Sequence, residues 1–306
     1  MAKTKDIKKR IGFAGIGRMG KPMAINVLNA GFPLTVYDKN KQALKEMEQL
    51  GAGVAQNARQ LGEHSDLLIV MLLNYEQIAE VVLAPQGALN SMKRDSTLII
   101  MSSVAPPEAR EIGSIAANKG VSVLDAPVSG GVIKAETGEL SIMVGGDAEV
   151  FNDNMALFQV MGKNVKYVGK LGNGSAFKLI NQIMVEVNFV ATAEAMAMAE
   201  ILGLDLEHVF QIVSKSLGNS EVFQRSAPRI IKRDFSPEGC VDIAVKDTQN
   251  ILKTAIELGI PLPMCTAAHH VFSIAKSLGY GAQHHASLIK IYESFSQSKK
   301  HLSHQN

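Results

Sequence analysis

The 306 residues are 46% hydrophobic and 20% charged, with a formal net charge of only +2. That balance excludes a mainly disordered chain, and the interspersed acids and bases leave no basic stripe for nucleic acid. No run of about 18 uninterrupted apolar residues occurs, so no membrane span is expected and the chain reads as a soluble, cytoplasmic protein of about two domains. Cys240 and Cys265 suit a reducing compartment, and no Cys/His spacing resembles a zinc site, so no metal is expected. The adjacent pairs His269-His270 and His284-His285 diverge by about 100° on a helix and read as surface or lip residues.

In chain order, the basic start MAKTKDIKKR reads as a solvated arm. RIGFAG, PLTVYD, DLLIVML, STLIIMSS and VSVLDAPVS follow as continuous apolar runs of strand length. Amphipathic segments such as KPMAINVLNAG and KQALKEMEQLG separate them, which predicts βαβ units and a mostly parallel sheet covered on both faces. SIMVGG and VKYVG extend that sheet at its far side. After Gly172 the period becomes helical, with Ile180, Ile183, Val187, Val190, Ala191, Met198 and Ile201 on one stripe. Asn173 and Ser175 are candidate caps, and Gly203 falls where such a helix would end. This helix of roughly 40 Å is a spine leading into further helices at LEHVFQIVSKS, VDIAVKDTQNILKTAIELG and CTAAHHVFSIAKSLG.

The first strand runs into Gly15-Ile16-Gly17-Arg18-Met19-Gly20 with a helix directly behind it, and Asp38 ends the next strand. Strand, Gly-x-Gly-x-x-Gly, helix and a later acid together predict dinucleotide binding. Asp38 would accept from the ribose diol and repel a 2′-phosphate, predicting NAD; a strand-end turn carboxylate is the plainer alternative. The fold class is therefore α/β: a Rossmann-type doubly wound sheet over residues 1–172, joined by the long helix to an all-helical domain over 173–306.

Ser129-Gly130-Gly131 is either an ordinary Gly turn or a set of unobstructed N–H groups and a hydroxyl suited to an anion. On the spine helix Lys178, Asn181 and Gln182 share one face. A lysine near a helix N-terminus opposes the dipole, so either it snorkels to solvent or a cleft holds it for proton exchange with a hydroxyl or carbonyl oxygen. Lys246 likewise reads two ways, as the i+4 ion-pair partner of Asp242 or as a contact to cofactor or substrate.

GIGRMGKPMAINVLNAG, DAPVSGGVIKAETGELSIMVGG, GNGSAFKLINQ and VKDTQNIL resemble, in this order, the four signature regions of the beta-hydroxyacid dehydrogenases. That resemblance implies a Rossmann domain, a long connecting helix, a helical domain, and a site between them that oxidises a small hydroxy acid with NAD. It implies that Lys178 is the general acid/base and that Ser129, Gly130 and Gly131 hold the substrate carboxylate, with Asn181 helping to position it. Lys246 would then lie beside the cofactor, and Leu72 and Ser103 would contact NAD. The family's habit of forming dimers or tetramers implies a homo-oligomer.

Within the family, SLGNSEVFQR, VDIAVKD, IPLPM and ASLIKIY resemble members that oxidise a four-carbon sugar acid to its 2-oxo form. Gly239 stands where many relatives carry Phe, which would leave room for extra hydroxyl-bearing carbons. Thr248 in place of the usual Leu, and His284-His285 at positions often acidic, depart from the family pattern. Other expectations are a semialdehyde reductase, a 3-hydroxyisobutyrate dehydrogenase, or a non-catalytic nucleotide-binding protein. The presence of Lys178 argues against the last of these.

Overall fold

The computed structural model describes residues 9–295, so the basic segment before Lys9 lies outside the described residues. The chain divides into two compact units, one ending at Lys178 and one beginning at Leu179.

In the first unit β1 (Ile11–Ala14), β2 (Leu34–Tyr37), β3 (Gly53–Val54), β4 (Leu67–Val70), β5 (Thr97–Ile100) and β6 (Ser122–Asp125) lie in the order β3-β2-β1-β4-β5-β6, all parallel. Side chains alternate between the faces of a strand, and here both faces are packed. Ile11, Phe13, Ile69 and Ile99 meet Met23 and Val27 on one side; Leu68, Val70, Leu98 and Ile100 meet Leu61 and Ile112 on the other. Each such fully buried side chain contributes roughly 1.5–3 kcal/mol, which is why these strands read as unbroken apolar runs.

VSVLDAPVS, expected as one run, is two strands. β6 stops at Asp125, and β7 (Val128–Ser129) resumes in the same antiparallel register against β8 (Ser141–Gly146), with Leu124 opposite Gly146 and Val128 opposite Ile142. Pro127 lies in the break. It has no N–H to give, but its carbonyl still accepts from Met143 (3.2 Å). β9 (Asn164–Gly169) pairs parallel with β8 on that side of the sheet.

The spine helix spans Asn173–Ile201, and Gly203 follows it at φ +74°. Its N-terminus is held differently from expectation. Asp125 accepts from the backbone N–H of Gly172 (2.8 Å) and of Ser175 (2.7 Å), while Asn173 donates its side-chain amide to Val168 O (2.9 Å). A carboxylate at a helix N-terminus satisfies orphan donors and meets the positive dipole end. Burial pushes the Asp125 carboxyl up, and the bonds from Ser175 and Gly172 oppose that rise.

The second unit is helical, with Leu206–Val213, Glu221–Lys232, Val241–Leu258 and Pro263–Ala275 following the spine. Asp205 caps the first through His208 N–H and Ser220 caps the second through Phe223 N–H, both at 3.0 Å. Glu221–Lys232 carries Pro228 inside it, which is why it does not stand out in the sequence as a helix. Two apolar clusters form the interior, one around Phe272, Val190 and Leu288, the other around Met196, Phe223 and Ile289.

His284 and His285 are buried, correcting the expectation of surface or lip residues. The His285 ring lies 4.2 Å from Phe189 and 5.8 Å from Phe272, with Nε2 at 3.0 Å from Cys240 O. Because a carbonyl only accepts, Nε2 carries the proton. His284 Nδ1 accepts from Ala286 N–H (3.0 Å). Burial, followed by the neighbouring His284, holds His285 down to about 3. Burial, followed by the Arg229 and Arg225 guanidinium groups, holds His284 down to about 4.

Both rings stay neutral in the fold but take up protons in the unfolded chain below about pH 6.5. Stability is therefore full above that pH and is lost as pH falls toward 4. Urea unfolding at pH 7.5 and 5.5 should differ by about 1 kcal/mol for each histidine, and His285→Phe should flatten the dependence. Equal slopes in the two proteins would show that the ring does not titrate on unfolding.

Candidate active site

Parallel registry places Ala14 beside Tyr37 and Val70, and Val70 beside Ile100, so the segments that leave β1, β2, β4 and β5 emerge along one edge of the sheet. In open α/β sheets ligands bind outside this carboxyl edge. Gly15, Asp38, Leu72 and Ser103 all lie there.

The three loop glycines have different surroundings. Gly15 sits at φ +91°, and a Cβ there would stand 2.3 Å from Met71 O. A Cβ on Gly20 would stand 1.8 Å from Gly15 O, so that position sets the approach of helix to strand. Beside Gly17 nothing lies within 4 Å. Gly17 and Arg18 are exposed and Met19 is half-buried, while Ile16 is buried and gives its N–H to Asp38 Oδ2 (2.8 Å). The other oxygen of Asp38 accepts Asn40 N–H (2.7 Å), so the acid ties the loop to the end of β2. The helix Gly20–Asn29 opens with no side-chain cap and no acid in its first turn, leaving its N–H groups suited to a phosphate. An uncapped helix start, an open Gly17 and a half-buried acid fit a dinucleotide.

Asp38, Leu72, Gln77 and Glu80 are among the residues lining a cavity of about 150 Å³ at this edge. Lys39, adjacent to Asp38, is drawn to Glu80 (2.7 Å). Leu72 N–H is held by Ser102 Oγ (2.8 Å); Ser102 is buried, and Ser103 beside it is half-buried.

Ser129 ends β7 and is half-buried, followed by Gly130 at φ +139° and Gly131 at φ +74°. Two successive positive-φ residues require glycine. The strand line that ends in this turn also carries Asp125, which grips the helix bearing Lys178. Lys178 is only 9% exposed, which removes the snorkelling alternative.

In the second unit the side chains form a ladder. Asn181 Nδ2 donates to Gln182 Oε1 (3.0 Å), and Gln182 Nε2 donates to Glu186 Oε1 (3.1 Å) and Asp247 Oδ2 (2.9 Å). Asp247 Oδ1 meets Lys246 Nζ (3.1 Å), and Asp242 pairs with Lys276 (3.1 Å). Glu186 was not singled out in the sequence, and Asp247 stood out there only as the neighbour of Lys246. Their signals were an acid four residues beyond Gln182 and an acid beside Lys246.

The space beside Gly239 is not free. A Cβ there would lie 2.9 Å from His285 Cε1, so an imidazole fills the space next to the glycine that the expectation had left open. Thr248 is buried and shares a 2.8 Å hydrogen bond with His269 Nδ1, a polar contact at the position where the resemblance implies leucine. Among the described residues no group of three or more His, Cys, Asp or Glu could hold a metal, and no helix is long and apolar enough to cross a membrane.

A glycine loop at the carboxyl edge of a doubly wound parallel sheet defines a dinucleotide-binding domain. Residues 10–169 match the family model described as the NAD binding domain of 6-phosphogluconate dehydrogenase. Residues 172–292 match that described as NAD-binding of NADP-dependent 3-hydroxyisobutyrate dehydrogenase. The chain is 33% identical to L-threonate dehydrogenase of Escherichia coli O6:H1 over 92% of its length and 94% of that protein. It is 35% identical to 2-hydroxy-3-oxopropionate reductase of Escherichia coli K12, over 95% and 99% respectively. The crystal structure of 3-hydroxyisobutyrate dehydrogenase from Salmonella typhimurium superposes with a TM-score of 0.85 at 32% identity, covering 93% of this chain and 100% of that one. The chain belongs to the beta-hydroxyacid dehydrogenase family and is an NAD-dependent oxidoreductase.

Proposed function

We propose that this enzyme oxidises a hydroxyl of a small sugar acid, converting L-threonate to its 2-oxo acid. The observation that carries the reading is a buried Lys178 on a helix gripped by Asp125, the strand residue that leads into the Ser129-Gly130-Gly131 turn. In this reading the Ser129 hydroxyl and the N–H groups of Gly130 and Gly131 hold the substrate carboxylate. Neutral Lys178 takes the hydroxyl proton as the C=O bond forms, and Asn181, one turn further along the helix, positions the substrate. When bound, NAD supplies the acceptor for the hydride leaving the same carbon. The loop Gly15, Ile16, Gly17, Arg18, Met19 and Gly20 would hold the pyrophosphate, Asp38 the ribose diol, and Leu72, Ser103 and Lys246 would flank the cofactor. Because Lys39 is committed to Glu80, the charge of Asp38 is left to oppose a 2′-phosphate, which supports NAD over NADP.

The substrate assignment is supported by the 33% identity to L-threonate dehydrogenase. A shorter substrate is favoured by the imidazole filling the space beside Gly239 and by the 35% identity to 2-hydroxy-3-oxopropionate reductase. We place the domain boundary between Gly172 and Asn173. We also infer a cytoplasmic homodimer or homotetramer, for which the exposed Met184, Met198, Ile201 and Leu202 of the helical unit offer apolar surface.

Initial rates on L-threonate, D-glycerate and 3-hydroxyisobutyrate with each of NAD and NADP test the reading. The expected result is fastest turnover of L-threonate, with kcat/KM for NAD at least about tenfold above that for NADP and the ratio shrinking in Asp38→Asn. Turnover of the other two acids with none on L-threonate would reject the substrate assignment.

A further inference from the structure

Asp38, Lys39 and Glu80 line one cavity at the carboxyl edge of the sheet, with Val81 beside them. Asp38 is fixed there as an acceptor, because one of its oxygens takes Ile16 N–H at 2.8 Å and the other takes Asn40 N–H at 2.7 Å. The next residue is held from a distant part of the chain. Lys39 Nζ lies 2.8 Å and 2.7 Å from the two carboxylate oxygens of Glu80, 41 residues further along. Glu80 belongs to the segment after β4, where the helix Tyr75–Ile78 widens into the π-helical turn Ala79–Leu83, and buried Val81 and Val82 anchor that turn. With Lys39 neutralised by Glu80, Asp38 leaves this edge with a net negative charge.

NADP differs from NAD by a 2′-phosphate on the ribose, which a nearby cation accommodates and an acid opposes. We propose that Glu80 is a specificity-determining residue for the cofactor: by holding Lys39 it withholds the ammonium that would otherwise neutralise a 2′-phosphate beside Asp38. The inference rests on the reading of Asp38 as the ribose acceptor and adds the residue that keeps its neighbour out of play. The Lys39 and Glu80 side chains are 69% and 58% exposed, so their pair adds little to stability. Discrimination is a difference of affinities, and a withheld cation weighs on NADP alone.

The test is fluorescence titration of NADH and of NADPH at low ionic strength, where exposed charges are least screened, on the parent protein, Glu80→Gln, Lys39→Met and the double variant. The readout is the NADPH dissociation constant divided by that for NADH. In Glu80→Gln this ratio should fall by about fivefold, the strength of one exposed ion pair. Lys39→Met uncovers the Glu80 charge and frees no cation, so the ratio should hold or rise. The double variant restores the parent's net charge without a free ammonium, and its ratio should return to within about twofold of the parent's.

A parent that bound NADPH as tightly as NADH would overturn the reading of Asp38 and this inference with it. A parent that preferred NADH, with the ratio unchanged in Glu80→Gln, would overturn the role of Glu80 and leave Asp38 standing. A fall as large in the double variant as in Glu80→Gln would show the Glu80 charge acting without Lys39 and would overturn the coupling proposed between them.

Discussion

Replacing Lys178 with methionine is expected to lower kcat for hydroxy-acid oxidation by roughly 10³-fold while the dissociation constant for NADH stays within about twofold. Methionine keeps the length and burial of the side chain and removes only the amine. Lys178 is 9% exposed, so thermal unfolding of the variant beside its parent checks that a lost rate is not lost folding. The parent's kcat/KM for oxidation should rise with pH as the amine becomes neutral, and the residual rate of the variant should lack that limb. Stopped-flow rates and NADH fluorescence titration separate these effects. Turnover unchanged in the variant would remove Lys178 from the chemistry.

The second large effect separates two glycines three residues apart. Gly20→Ala forces a Cβ to within 1.8 Å of Gly15 O, and because that obstacle is backbone, the helix must move off β1. A loss of about 3 kcal/mol or more is expected, visible as a fall of several degrees in Tm. Gly17→Ala meets nothing within 4 Å, so the fold should be untouched. The methyl would instead stand where a pyrophosphate approaches, and the NAD dissociation constant should rise tenfold or more, by roughly the cost of one close contact. If Gly17→Ala bound NAD normally, the loop would not be the seat of the diphosphate.

The parts of the fold written in local pattern were legible in the sequence. Alternating apolar runs and helix-period stripes gave the sheet and the spine, and Gly15 to Gly20 carried their meaning because strand and helix flank them. Elements set by distant partners were not legible. The cap on the spine helix comes from Asp125, 47 residues before Gly172 and 50 before Ser175, so local cap candidates pointed to Asn173 and Ser175 instead. Gln182 and Asp247 meet across 65 residues, and no local spacing announces that contact. The break at Ala126-Pro127 was masked because apolar content on both sides gave one continuous run. His284 and His285 misled for a different reason, since histidine is most often partly exposed, whereas here the rings fill space between Phe189, Phe272 and Gly239.

These buried histidines also bear on substrate size. A side chain at Gly239 would need the His285 imidazole to move, since a Cβ there stands 2.9 Å from His285 Cε1. The glycine therefore does not by itself signal a roomier site.

The central claim is that the Lys178 amine and the Ser129-Gly130-Gly131 turn act on opposite ends of one hydroxy acid. A crystal structure with NADH and a non-reacting hydroxy acid tests it most directly. The expected result is the carboxylate on the turn and the hydroxyl oxygen within about 3 Å of Lys178 Nζ. A ligand bound elsewhere, or an Lys178 amine directed into bulk solvent with the turn empty, would contradict it.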